Sequence, residues 1–124
     1  MPEQFTQSDV RRLVEAAGRT RACELGYQLL GADAAVEAAE AAQEAGLTKL
    51  NIYRASLADA ATVAMMPRLG SNTCLTELSL GYNAIGDAGA AAIGGMLRNN
   101  SALRKLLLHQ NRIGNAGAEA LASA

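Results

Sequence analysis

The feature that most constrains this chain is a pattern that returns every 28 residues. Leu75, Leu78, Leu80, Asn83, Ile85, Gly86, Gly89 and Ile93 reappear as Leu103, Leu106, Leu108, Asn111, Ile113, Gly114, Gly117 and Leu121. One period earlier stand Leu47, Leu50, Ile52, Leu57, Met65 and Leu69, with Ala55 in the place of Asn and Ala61 in the place of the second Gly. A further copy lies one residue out of phase: Gly26, Tyr27, Gln28, Leu29, Leu30 and Gly31 mirror Gly81, Tyr82, Asn83, Ala84, Ile85 and Gly86, which puts Cys23 and Leu25 at core positions. Self-similarity at such a period means that each copy is one small unit that cannot bury its apolar side alone and must stack on its neighbours.

Inside each copy the period switches. Leu50 and Ile52, Leu78 and Leu80, and Leu106 and Leu108 are spaced by two, so each pair points one way from a short strand. After the Asn and Gly turn, Ile93 and Leu97 recur at spacing four among alanines, the buried stripe of a helix. The expected fold is α/β, with parallel strands side by side and helices behind them. Residues 1–19 form an N-terminal cap, and the repeats run over 20–46, 47–74, 75–102 and 103–124 in a single domain. Within the cap a helix from about Ser8 to Gly18 is expected, opened by Ser8 as N-cap. Its Val10, Leu13 and Val14 would pack on the end of the sheet, with Arg11 and Arg12 on the wet side. Helix three is expected to stop near Met66, because Pro67 cannot continue a helix. The fourth copy stops at Ala124 inside its helix, so the strand near Lys105 to His109 and the helix residues Ala118, Leu121 and Ala122 are expected to lack cover. Such an edge predicts continuation in a longer repeat protein or self-association through that end.

The run Leu-x-x-Leu-x-Leu-x-x-Asn-x-Ile-Gly resembles the ribonuclease-inhibitor-type leucine-rich repeat, which NOD-like receptors and Ran GTPase-activating proteins also carry. The resemblance covers roughly Thr20 to Ala124 and is most specific in the last two copies. It implies a curved solenoid with strands on the concave face, helices on the convex face, and a protein-binding role. It implies no chemistry.

Most motif residues read as structural. Asn83 and Asn111 are expected to turn their amides inward onto the backbone of the bend. Gln28 and Ala55 would interrupt that ladder. The Gly residues after each Asn permit tight turns, and no Lys follows them as a phosphate loop requires. Gly94 and Gly95 are expected to admit a neighbouring helix closely. No nucleophile, base and further ligands come together: the single histidine, His109, is read as an exposed strand residue, and Cys23 and Cys74 as ordinary thiols near the core. Glu37, Glu40 and Glu44 read as a solvated helix face. The Asn99-Asn100-Ser101 sequon matters only in a secreted protein. No cofactor or metal is implied, and the chain is not read as an enzyme.

Composition narrows the partners. A net charge of -1 removes any strong pull toward nucleic acid or an anionic membrane. Arg11, Arg12, Arg19 and Arg21 are balanced by Glu3, Asp9, Glu15 and Glu24. No 18-residue stretch is free of charge, and no basic segment followed by an apolar one opens the chain, so a cytoplasmic location is expected.

Function then falls on the strand positions that face away from the core: Lys49, Asn51, Tyr53 and Arg54; Glu77, Ser79 and Tyr82; Lys105, Leu107, His109 and Gln110. Lys49, Glu77 and Lys105 would form one row across the sheet, and Asn51, Ser79 and Leu107 another. Exposed Tyr and Leu beside Lys and Arg suit a surface that binds a protein partner. The alternative is regulation of a small GTPase or another enzyme, as the Ran GTPase-activating proteins would imply. The plainer alternative is that these residues merely solvate the sheet.

Overall fold

The computed structural model describes residues 6–17, 20–27 and 29–124. Gly18, Arg19, Glu3 and Gln28, which figure in the readings above, lie outside them. In chain order the elements are α1 (Gln7–Ala17), β1 (Ala22–Gly26), α2 (Ala32–Ala45), β2 (Lys49–Tyr53), α3 (Ala58–Gly70), β3 (Glu77–Ser79), α4 (Asp87–Asn99), β4 (Lys105–Leu107) and α5 (Asn115–Ala122). The four strands pair in parallel in the order β1-β2-β3-β4. Each helix packs on the next along the row from α1 to α5. This is an α/β solenoid, one strand and one helix per unit, the architecture that the leucine-rich repeat resemblance implies.

The registers match the sequence period. Cys23 lies opposite Leu50, Leu50 opposite Leu78, and Leu78 opposite Leu106, so the out-of-phase first copy is one residue shorter than the others. Leu25, Leu50, Ile52, Leu78, Leu80, Ile85 and Ile93 are all fully or almost fully buried. Between α2 and its neighbours the core is alanine: Ala35, Ala38 and Ala42 have no exposed surface. Small side chains there let helices approach where the strands have already brought the units to about 4.8 Å spacing.

Side chains tie each unit to the next at the same 28-residue interval. Asn83 Oδ1 accepts from the Ala55 amide at 3.0 Å, and its Nδ2 donates to the Ile52 carbonyl at 2.7 Å. Asn111 does the same one unit later, accepting from the amides of Asn83 and Ile85 and donating to the Leu80 carbonyl. Ala55 interrupts the ladder as expected, since it has no side-chain amide to offer the unit before it, although its own backbone N–H is served by Asn83 and its carbonyl accepts from Leu30. Thr48 and Thr76 donate hydroxyl bonds to the carbonyls of Arg21 and Thr48. Asn72 and Asn100 cap the bend before each strand.

A fourth ladder escaped the sequence reading. Asp59 Oδ1, in the first turn of α3, accepts from the amides of Gly86 and Gly89 at 2.7 and 3.0 Å. Asp87 Oδ1 repeats this on Gly114 and Gly117. Each carboxylate thus satisfies free amides at the N-terminus of the next helix, where negative charge is favoured. The glycines follow from it, since a Cβ on Gly117 would sit 2.7 Å from Asp87 Oδ1.

Several expectations are corrected. The cap of α1 is Thr6, not Ser8: Thr6 Oγ1 accepts from the Asp9 amide while Asp9 Oδ2 accepts from the Thr6 amide. These bonds from Thr6 hold the Asp9 carboxyl below its ordinary pKa. Val10 and Val14 are buried, but Leu13 is 42% exposed, because α1 lies against α2 in the helix row and not across the sheet end. Arg11 keeps partial contact with water, its side chain 35% exposed, but it does not only face solvent. It pairs with Glu44 and Glu37 on α2, which together hold its guanidinium firmly protonated, and with Glu15. Glu37 and Glu40 are correspondingly tied, the latter to Arg68 at 2.9 Å.

Helix α3 does not stop at Met66 but runs through Pro67 to Gly70. Proline denies the Val63 carbonyl its partner, but Val63 is 45% exposed, so water can serve that carbonyl, and buried Met66 and Leu69 anchor the last turn in the core. Leu97 is only partly buried at the stripe's outer margin. Of the paired glycines, Gly94 admits α5, since a Cβ there would lie 2.7 Å from the Ala120 carbonyl oxygen, whereas Gly95 meets nothing closer than an Arg98 nitrogen at 3.8 Å. Gly94→Val should therefore cost about 1 to 3 kcal/mol by pushing α5 away, while Gly95→Ala should be neutral or slightly stabilising. Equal thermal melts for Gly94→Val and the parent would place the α4–α5 contact wrongly.

Candidate functional site

The face of the sheet turned away from the helices is built in rows, because parallel in-register strands place like positions side by side. Lys49, Glu77 and Lys105 are one row, and Glu77 approaches Lys105 at 3.8 Å. Glu24, Asn51, Ser79 and Leu107 are the next. Both rows anticipated from the sequence are present, and Glu24 extends the second.

At the strand ends and in the bend just after them lies a further pair of rows. Gly26 lies opposite Tyr53 in the sheet, and one period on stand Gly81 and His109. The alternation of Gly with a ring has a geometric consequence: the Tyr53 ring lies directly over Gly26 and the His109 ring over Gly81, in space a Cβ would fill. His109 is exposed as expected, but it lies two residues past β4 and not on a strand, because pairing ends at Leu107.

Next to them come Tyr27, Arg54, Tyr82 and Gln110, all with positive φ, at 62°, 50°, 60° and 54°. The bend puts these residues in the left-handed region, where side chains beyond Gly and Asn are disfavoured. Two of their amides are still held as in a sheet: Tyr27 donates to the Tyr53 carbonyl and Tyr82 to that of His109.

These two rows interlock into one ladder of rings and a cation. Tyr27 and Tyr53 meet edge to face with centroids 5.4 Å apart, and Tyr82 and His109 do so at 5.3 Å. Between the pairs the Arg54 guanidinium carbon sits 4.2 Å from the Tyr82 ring centre and 5.8 Å from that of Tyr27. Both geometries are attractive, through ring quadrupoles and cation–π contact. The ladder is also open to solvent, with Tyr27 61% and Tyr82 40% exposed. Tyr27 is a member the sequence reading omitted, although its Gly-Tyr pair mirrors Gly81-Tyr82.

At the foot of this ladder is a hollow of about 330 Å³ lined by Glu24, Asn51, Tyr53, Arg54, Ser79, Tyr82 and His109. Five of the expected surface residues other than Ser79 thus converge on one depression. Ser79 is a correction: it faces this side but is buried, because a short side chain lies below the long ones around it. Lys49, Lys105 and Gln110 are exposed and Glu77 and Leu107 half-buried, all outside the hollow. A second, more apolar groove of about 640 Å³ runs between α3 and α4 on the opposite side, lined by Val63, Met66, Pro67, Ala92, Gly95 and Met96 among others.

Reactive groups are sparse here. Burial, followed by the nearby Glu24 charge, pushes the Cys23 thiol above its ordinary pKa, which keeps it protonated and unreactive. Cys74 is a free, half-buried thiol. Among the described residues no three of His, Cys, Asp and Glu cluster as metal ligands. No described helix is long and apolar enough to cross a membrane.

Comparison with curated proteins returned no match. The leucine-rich repeat family model matches two consecutive segments, residues 71–94 and 99–122. The first segment holds β3 and α4 as far as Gly94, and the second runs from the last residue of α4 through β4 to the end of α5, so each holds one strand and helix of the stack. Family match, in-register parallel strands and the Asn ladder agree over residues 71–122: this stretch is similar to two consecutive leucine-rich repeats.

Proposed function

We propose that this protein is an interaction module that binds a partner protein on its strand face, centred on the ladder from Tyr27 through Tyr53, Arg54 and Tyr82 to His109. Leucine-rich repeat domains in general mediate protein–protein interaction. The observation that carries the reading here is the combination of strain and exposure. Tyr27, Arg54 and Tyr82 occupy a backbone position that glycine would hold at lower cost, and they use it to present rings and a guanidinium to solvent. Nothing in the core needs those side chains. Tyr and Arg are also the residue types that dominate binding energy at interfaces, and rings already stacked on each other lose little freedom on binding.

Tyr82→Gly combined with Arg54→Ser should weaken capture of a cytosolic partner by about tenfold or more while leaving the thermal melt within a few degrees of the parent. The glycine relieves strain where the ring is lost. Val63→Ser, on the helix side, should leave capture unchanged. A partner retained by the double variant, or lost equally in Val63→Ser, would move the binding surface off the strand face.

A further inference from the structure

On the floor of the hollow Asn51 and Ser79 stand side by side on β2 and β3. Asn51 Oδ1 is cut off from solvent and has no hydrogen-bond partner. A buried acceptor without a donor is costly, and a leucine or threonine at the same place on the sheet would avoid that cost. Ser79 is itself buried, and Asn51 beside it is half-buried and lines the hollow. Both floor groups are neutral, and both can donate as well as accept. Around them the single carboxylate of Glu24 and the single guanidinium of Arg54 offset each other in charge.

Resting on the protein-binding reading above, we propose that the hollow receives a carboxamide, the side chain of a glutamine or asparagine on the partner. Its N–H would donate to Asn51 Oδ1, and its carbonyl would accept from Asn51 Nδ2 or the Ser79 hydroxyl, so that two neutral amides pair through both ends. Charge complementarity selects this occupant over an ionic one. A lysine would meet Glu24 but also Arg54, a glutamate would meet Arg54 but also Glu24, and either would leave water for a neutral floor. An aliphatic side chain would leave Asn51 Oδ1 unmet. The flanking Tyr53, Tyr82 and His109 rings would lie against the methylene stem.

The test uses ¹⁵N-labelled protein and four capped tripeptides, acetyl-Gly-X-Gly-amide with Gln, Glu, Lys or Leu at X. All share the same backbone, so any difference belongs to the side chain. The Gln peptide should shift the Asn51 side-chain amide pair and the Ser79 backbone resonance, and should bind about fivefold more tightly than the others, the worth of about one net hydrogen bond. Asn51→Leu should abolish that preference, and Asn51→Asp, which keeps the shape but loses the donor and gains a charge, should turn it toward the Lys peptide. Fold is checked in the same spectra through the core amides. Preference of the parent for Glu, Lys or Leu, absence of shifts at Asn51 with every peptide, or a Gln preference that survives Asn51→Leu would each overturn the proposal. The two readings fail separately. If Tyr82→Gly with Arg54→Ser loses its protein partner while no peptide distinguishes Asn51, only the carboxamide assignment falls. If the Gln peptide is preferred while that variant keeps its partner, the assignment stands and the ladder is not the docking surface.

Discussion

Asn83→Ala should lower the unfolding free energy by about 3 kcal/mol, and Asn111→Ala, at the same position one unit later, by only about 1 kcal/mol. Asn83 is almost fully buried and serves the Ala55 amide and the carbonyls of Ile52 and Gly81. Truncation leaves those backbone groups unpaired between two packed units, where each buried, unpaired group costs about 1 to 3 kcal/mol before relaxation. Asn111 makes equivalent bonds, but it is half-buried in the last unit, so water can replace its side chain. Asn83→Asp should not rescue, because a carboxylate would keep the acceptor for Ala55 but face the Ile52 carbonyl with no donor. Urea melts of the three variants decide the matter. Equal costs at the two positions would mean that the ladder is not what joins the units.

The core was legible in the sequence because burial at Leu78, Leu80 and Ile93 follows directly from spacing, and spacing is all that a stack of like units needs. The first copy was legible for another reason: its Gly26-Tyr27 pair repeats Gly81-Tyr82, so its register could be found although Cys23 stands where Leu is expected. Pro67 was misread because local rules count the lost hydrogen bond but not the buried Met66 and Leu69 on the same turn, and tertiary packing outweighed the local cost. The N-cap was misplaced by two residues because Thr6 and Ser8 are chemically equal candidates, and only the reciprocal bonds between Thr6 and Asp9 separate them.

The candidate site was half legible. Strand alternation found its rows, including Asn51, Tyr53 and Ser79. It could not find which side chains lean on which, because that depends on the units being stacked: the Tyr53 ring needs the bare backbone of Gly26, a residue 27 positions earlier. The signal was available in the alternation Gly26, Tyr53, Gly81 and His109. Asp59 and Asp87 were equally available, since they repeat at the 28-residue period and each stands 27 and 30 residues before the two glycines it serves. Capping rules place the partner within the same helix, whereas in a stack the cap comes from the neighbour.

Leu78→Ala should cost about 3 to 5 kcal/mol, and Leu106→Ala about 1 to 2 kcal/mol, although the two residues are register partners on adjacent strands. The reading from sequence alone would give them equal costs, since their repeat positions are identical. Burial separates them. Leu78 has no exposed surface and is packed with units on both sides, so its removal opens a cavity that the fixed strands β2 and β4 cannot close. Leu106 is only partly buried, and β4 pairs on one side alone among the described residues, so the lost contacts are fewer and the site can relax. Thr76→Ala, which side-chain alternation alone would rate as nearly free, should cost about 1 kcal/mol, because its hydroxyl donates to the Thr48 carbonyl at 3.1 Å and joins two units. Net stabilities of domains this size run to about 5 to 15 kcal/mol, so Leu78→Ala alone removes a large share and should visibly shift the urea midpoint. The order Leu78, then Leu106, then Thr76 is the outcome that the stack requires. Leu106→Ala as costly as Leu78→Ala would show that β4 is covered as fully as β3, and a mild Leu78→Ala would show that the strand register itself is wrong.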